Sequence, residues 1–302
     1  MRGKFINASA LKDFGKFYDY KGNSIFYGTL GEGEPLLLLH GYPFNSYDWN
    51  WVMEDLSKQY KLVFIDLMGM GFSDKPQNHT YSFEEYVDMI NSLIKKLNIR
   101  KIRILAHDLA VSVVEEMLVK IESLDFEILS VAFMNGGLFT DVYQPRMIQR
   151  LLSQSPNVIG KYLSKNLKRN SIENSLKKMF GPETGPNSEL LNEYWNILNY
   201  HQGKDIAYLI GRLVFDKVKY QDQWIKTLKN TKVPFCYICG PMDPNSGVHM
   251  AERFKKEYPF ASVYFLSSKI GHWPQVEAPK EVISALMLFH KELNANNNLQ
   301  EK

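Results

Sequence analysis

Three residues in this chain have the types, order and settings to do nucleophilic chemistry together: Asp108, Asp243 and His272. Asp108 lies in Ile102-Arg103-Ile104-Leu105-Ala106-His107-Asp108-Leu109-Ala110. That stretch reads as a short apolar strand, a reactive side chain, and a helix beginning near Val111. Ala106 and Ala110 are small, as a tight strand–turn–helix elbow requires two positions either side of its nucleophile. An aspartate there restricts the chemistry. Attack on an ester would give an anhydride and gain little. Attack on an electrophilic sp³ carbon displaces a leaving group and gives an alkyl ester, which histidine-activated water can hydrolyse. Free N–H groups and partial positive charge at the start of the next helix would keep the carboxylate ionised. The competing reading is a helix-capping aspartate with no chemistry.

Asp243, in Gly240-Pro241-Met242-Asp243-Pro244, follows the strand-like Val233 to Cys239. His272, in Ile270-Gly271-His272-Trp273-Pro274, follows Ser262 to Leu266. Since each of the three residues follows an apolar strand, a parallel sheet would bring them to one edge. His272 would then activate the hydrolytic water, and Asp243 would fix its tautomer and stabilise the imidazolium. His40-Gly41-Tyr42-Pro43 follows a neighbouring strand, so the backbone N–H groups of Tyr42 and Leu109 would form an oxyanion hole. His40 and His107 read as structural, bonded beneath the turn.

The elements that must position these residues alternate along the chain. Residues 14–30 read as a hairpin. Leu36 to Leu39, Leu62 to Ile65, Ile102 to Ala106, Ile128 to Met134, Val233 to Cys239 and Ser262 to Leu266 read as strands of a mostly parallel sheet, and such continuous apolar runs suit strands buried on both faces. Helices are expected over Tyr47 to Tyr60, Ser82 to Leu97 (capped by Ser82, with Glu85 placed for a capping box), Val111 to Ile121, Val248 to Glu257 and Pro279 to Leu293, with a frayed tail from Asn294 to Lys302. Gly69 and Gly71 read as a tight turn, since the third glycine of a phosphate loop is missing. From 139 to 223 only helical patterns appear, at Pro145 to Leu152, Asn157 to Lys168, Ser171 to Met179, Ser188 to Leu198 and Lys204 to Val218. Such a segment between strands reads as a cap over the sheet edge where open α/β sheets bind ligands. The expected division is a core of residues 1–138 and 224–302, with a helical cap, 139–223, inserted after the sixth strand of an eight-stranded α/β sheet.

Composition excludes several alternatives. The 302 residues are 45% apolar and 23% charged, with a net charge of +3 and no basic block of nucleic-acid type. No run approaches the roughly 20 apolar residues of a membrane span. Cys236 and Cys239, three apart on one strand, point to opposite faces and read as buried structural thiols in a reducing, cytoplasmic setting. No metal or cofactor is expected.

His40-Gly-Tyr-Pro43, Asp66-x-x-Gly-x-Gly-x-Ser-Asp-Lys-Pro76, His107-Asp108 and the late Asp243 and His272 together resemble the epoxide hydrolase and haloalkane dehalogenase branch of the α/β-hydrolases, which share the order nucleophile, acid, histidine. The resemblance implies a cofactor-free hydrolase whose partners are a small apolar electrophile and water. Dehalogenases of this branch hold the halide with side-chain N–H groups in the slots of Tyr42 and Leu109. Neither residue offers one, which leaves Trp195 or Trp224 as substitutes. Epoxide hydrolases use cap tyrosines, for which Tyr143, Tyr162, Tyr194, Tyr200 and Tyr208 are candidates and Tyr162 is first by position. The place of a second tyrosine falls near Leu213. Epoxide hydrolysis is the leading expectation. Haloalkane dehalogenation, or a non-catalytic binding protein on the same fold, is the alternative.

Overall fold

The computed structural model describes residues 3–300, with side chains described through residue 295. Eight strands, β1 (Lys16–Tyr20), β2 (Asn23–Leu30), β3 (Glu34–Leu39), β4 (Tyr60–Ile65), β5 (Lys101–His107), β6 (Glu127–Met134), β7 (Phe235–Cys239) and β8 (Ser262–Phe265), form one sheet in the order β1-β2-β4-β3-β5-β6-β7-β8. β2 runs antiparallel to both neighbours, and the pairs from β4 to β8 are parallel. The central strands are mostly apolar because both faces are covered. Leu37 and Leu39 point into one core cluster and Leu36 and Leu38 into the other. Tyr237 and Cys239 divide from Cys236 and Ile238 in the same way, so the two thiols are buried, free and on opposite faces.

Fourteen α-helices surround the sheet among the described residues: α1 (Ala8–Phe14), α2 (Asn50–Leu56), α3 (Phe83–Lys96), α4 (Leu109–Val119), α5 (Met147–Gln154), α6 (Asn157–Lys165), α7 (Arg169–Lys177), α8 (Ser188–Asn199), α9 (Gly203–Gly211), α10 (Leu213–Asp216), α11 (Gln221–Asn230), α12 (Val248–Glu257), α13 (Pro274–Glu277) and α14 (Pro279–Gln300). α3, α4, α11 and α12 pack on one face through residues such as Tyr86, Met117, Leu228 and Phe254. α2 and α14 pack on the other through Val52, Met53, Leu286 and Phe289. At the start of α3 the Ser82 hydroxyl accepts the Glu85 N–H at 3.1 Å. The Glu85 carboxylate meets His79 at 2.6 Å instead of returning to Ser82, so only half of the expected box forms.

Between β6 and β7 the chain makes only helices up to α11. The two ends of this stretch meet where Lys217 Nζ donates to the Gly137 carbonyl at 3.0 Å. The expected boundary at 223/224 falls inside α11, whose Trp224 donates to Glu116 on α4 at 2.9 Å. Three helices were not expected from the pattern: α11 itself, the single turn α13, and α1, where Asn7 caps the Ala10 N–H at 2.8 Å and Glu193 on α8 accepts the Ala8 N–H. The tail is also corrected. α14 continues to Gln300, because residues 294–300 contain no glycine or proline to stop a helix already formed. Residues 301–302 lie outside the described residues. Among those described, no helix is long and apolar enough to cross a membrane.

Candidate active site

The sheet register places three loops side by side. His107 at the end of β5 pairs with Met134 at the end of β6, Met134 is one register step from the end of β7, and Cys239 pairs with Phe265 at the end of β8. Asp108 follows β5 directly with φ of 52°, a left-handed conformation uncommon for a non-glycine residue and characteristic of strained functional turns. The bend has little room. A Cβ on Gly41 would lie 2.5 Å from Asp108 Cβ, and one on Gly136 would lie 2.3 Å from Val111 Cγ2. Ala106 and Ala110 are fully buried on either side.

Asp108, Asp243 and His272 converge. His272 Nδ1 lies 2.8 Å from Asp243 Oδ2, and His272 Nε2 lies 3.5 Å from Asp108 Oδ2. All three are buried, Asp108 the least so at 8% exposed. Asp243 is tied down by neighbours: Asn135 Nδ2 donates to it at 3.0 Å, the Ser246 hydroxyl at 2.6 Å and the Asn245 N–H at 2.8 Å. Burial alone would raise its pKa, but the adjacent imidazolium and these donors bring it down to about 2. Burial likewise opposes ionisation of Asp108, and His272, His107 and the Tyr42 N–H overcome it, so its pKa is lowered. For His272, burial disfavours the cation, yet Asp243 and Asp108 push its pKa up to about 10.

The Tyr42 N–H donates to Asp108 Oδ1 at 2.9 Å. Leu109 is the first residue of α4, so its N–H is among those a helix leaves without an internal partner. His40 accepts the Leu67 N–H at 3.0 Å. His107 lies 2.7 Å from the His272 carbonyl and 3.2 Å from Gln275 Nε2. Burial, then the neighbouring His272, lowers the His107 pKa to about 4. It is therefore neutral, and fixes the His272 backbone. Asp66 accepts the Ser46 and Phe72 N–H groups and so holds the turn containing Gly69 and Gly71.

Asp108 and His272 open into a cavity of about 760 Å³, counting its mouth, walled by Ile148, Leu152, Ile172, Leu176, Met179 and Leu198 from the inserted helices. Tyr162 does not reach it. It is 67% exposed, on the outer side of α6, so its assignment as a donor is corrected. Trp195 and Trp224 are also absent from the wall: Lys204 lies over the Trp195 ring, and Trp224 is engaged with Glu116. Trp273 does line the cavity, but its Nε1 donates to buried Asp48 at 3.3 Å. The sequence reading passed over Asn135, Ser246 and Gln275. Asn135 and Gln275 bond to partners far away in the chain, and Ser246 sits on a loop with no motif of its own. Among the described residues no group of three or more His, Cys, Asp or Glu could hold a metal ion.

Comparison with known proteins agrees with this architecture. Residues 34–279 match the family model described as the alpha/beta hydrolase fold. Mesoderm-specific transcript protein of Mus musculus is 32% identical over 289 residues, covering 92% of this chain and 86% of that protein. A soluble epoxide hydrolase of a Corynebacterium species is 34% identical over 87 residues, covering 29% of this chain and 30% of that one. The crystal structure of a loop variant of a haloalkane dehalogenase from Bradyrhizobium elkanii superposes with a TM-score of 0.77 at 17% identity, over 95% of this chain and 99% of that one. The sheet order, the bend after β5 and the family match over residues 34–279 make this chain a member of the α/β-hydrolase fold family.

Proposed function

We propose that this hydrolase uses Asp108 as a carbon nucleophile and needs no cofactor, with an epoxide as its electrophile. The observation that carries the reading is the single imidazole shared by two unlike carboxylates: 2.8 Å from a fully bonded Asp243, and 3.5 Å from an Asp108 that faces the cavity. Asp108 attacks an sp³ ring carbon and forms an alkyl ester, while the ring C–O bond breaks and the ring oxygen takes up a proton. That oxygen departs away from Asp108, toward the wall the inserted helices build, where Gln149, Ser171 and Ser175 carry polar groups. We assign residues 139–223 to a cap on this basis.

Esterification removes the charge of Asp108. His272 then faces one carboxylate instead of two, its affinity for a proton falls, and it deprotonates. The proton it releases balances the one gained by the opened oxygen. Neutral His272 next takes a proton from water as the water attacks the ester carbonyl, whose oxygen accepts from the Tyr42 and Leu109 N–H groups. Collapse frees the diol and restores Asp108 and the imidazolium. Overall, epoxide and water give a diol.

Epoxides are favoured over haloalkanes because, among the described residues, no unengaged tryptophan N–H faces the cavity to hold a halide. The test is the intact mass of His272→Gln after exposure to a mixed panel of epoxides and bromoalkanes. The expected result is one substrate mass added on the peptide carrying Asp108, from an epoxide. Addition from a bromoalkane alone would make the protein a dehalogenase. No addition, with wild type equally inert, would leave a binding protein.

A further inference from the structure

The cavity wall is apolar except at one place. Among the described residues, Asp108 is its only carboxylate and Arg146 its only lysine or arginine. Arg146 precedes α5 and lies next to Gln149, Ser171 and Ser175. Its Nη1 donates to the Ser175 carbonyl at 3.2 Å, and the other guanidinium N–H groups meet no acceptor among the described residues. Arg146 faces no carboxylate among the described residues, and unlike the other arginines without one, Arg100, Arg150 and Arg212, it lines the cavity that holds Asp108. The half-buried guanidinium therefore keeps donors free beside the apolar wall, where an anionic group of a ligand can meet them. Its planar fork suits a carboxylate in particular.

We propose that Arg146 receives the acid group of the substrate, so that the substrate is an aliphatic chain carrying an electrophilic carbon for Asp108 and a carboxylate for Arg146. The proposal rests on the reading of Asp108 given above, and it adds the substrate class. The apolar side chains between the two polar residues hold the methylenes. The acid group takes no part in bond making, so its contact with Arg146 appears in binding and in kcat/KM for acids relative to neutral analogues.

The test compares terminal epoxy fatty acids of increasing length with their methyl esters in wild type, Arg146→Gln and Arg146→Lys. The ratio of kcat/KM for acid over ester should fall about tenfold or more in the glutamine variant and be partly kept by lysine, since a hydrogen bond to a charged group is being removed. An unchanged ratio overturns the proposal. So does a loss of equal size on acid and ester, which would mark Arg146 as a contact of the departing oxygen. If wild type opens neither compound, the hydrolase reading fails by itself. Arg146 is then read by calorimetry with unreactive decanoate, which should bind wild type about tenfold more tightly than Arg146→Gln. Equal binding overturns the proposal.

Discussion

The turns after β5 and β7 each deliver a buried aspartate to the same imidazole, yet they are built oppositely. The turn after β7 surrounds Asp243 with Asn135, Ser246, the Asn245 N–H and His272, so the carboxylate has no freedom to attack anything. The turn after β5 gives Asp108 one backbone donor and a longer approach to His272, on a bend that opens to the cavity. On the function proposed above, the same residue type is a fixed support in one place and, in the other, a buried reagent that faces the cavity. The difference lies in how many hydrogen bonds each oxygen already has.

That contrast can be broken by substitution. The largest effect should come from Asp108→Ala: epoxide turnover falls to the uncatalysed background and no ester mass appears, in a protein whose circular dichroism matches wild type. Asp243→Asn should leave ester formation measurable in a single turnover but slow its hydrolysis, with kcat down roughly 10³-fold or more, because the imidazole loses its orienting charge. If both variants lose ester formation equally, the two aspartates are not different in kind.

The pH dependence of stability sharpens the comparison. The Asp243 pKa is lowered from 3.8 to about 2 in the fold. Its contribution to stability is therefore complete above about pH 4 and lost as the pH falls through about 2. The difference in urea midpoint between wild type and Asp243→Asn should narrow over that range. Asn135→Ala removes one donor of several and should lower kcat about tenfold, reflecting a less firmly held Asp243. The smallest effect should be that of Tyr162→Phe. An exposed phenol away from the cavity wall should change kcat by less than about twofold and stability by less than about 0.5 kcal/mol.

The sequence was most legible where function depends on neighbours in the chain. Ala106, Asp108 and Ala110 reveal the bend because its sterics act over four residues. The strands were readable because a twice-covered sheet demands unbroken apolar runs. The turn at Gly69 and Gly71 was readable as well, with φ values of 89° and 55° that favour glycine. Legibility failed where orientation or distance in the chain decides. Nothing local says which side of α6 Tyr162 occupies. The bond from Asn135 to Asp243 spans 108 residues and leaves no spacing to find. α11 was missed because Gln221 to Asn230 is strongly polar, and it is held by Trp224 and Leu228 against α4.

The stitch between Lys217 and Gly137 has a further consequence. Because the helical stretch leaves and rejoins the sheet at neighbouring places, its replacement by another set of helices would not disturb the register that aligns β5, β7 and β8. A chimera carrying a foreign segment over residues 139–220, which leaves α11 whole, should keep the reagent and change what it is offered, much as one handle takes different blades.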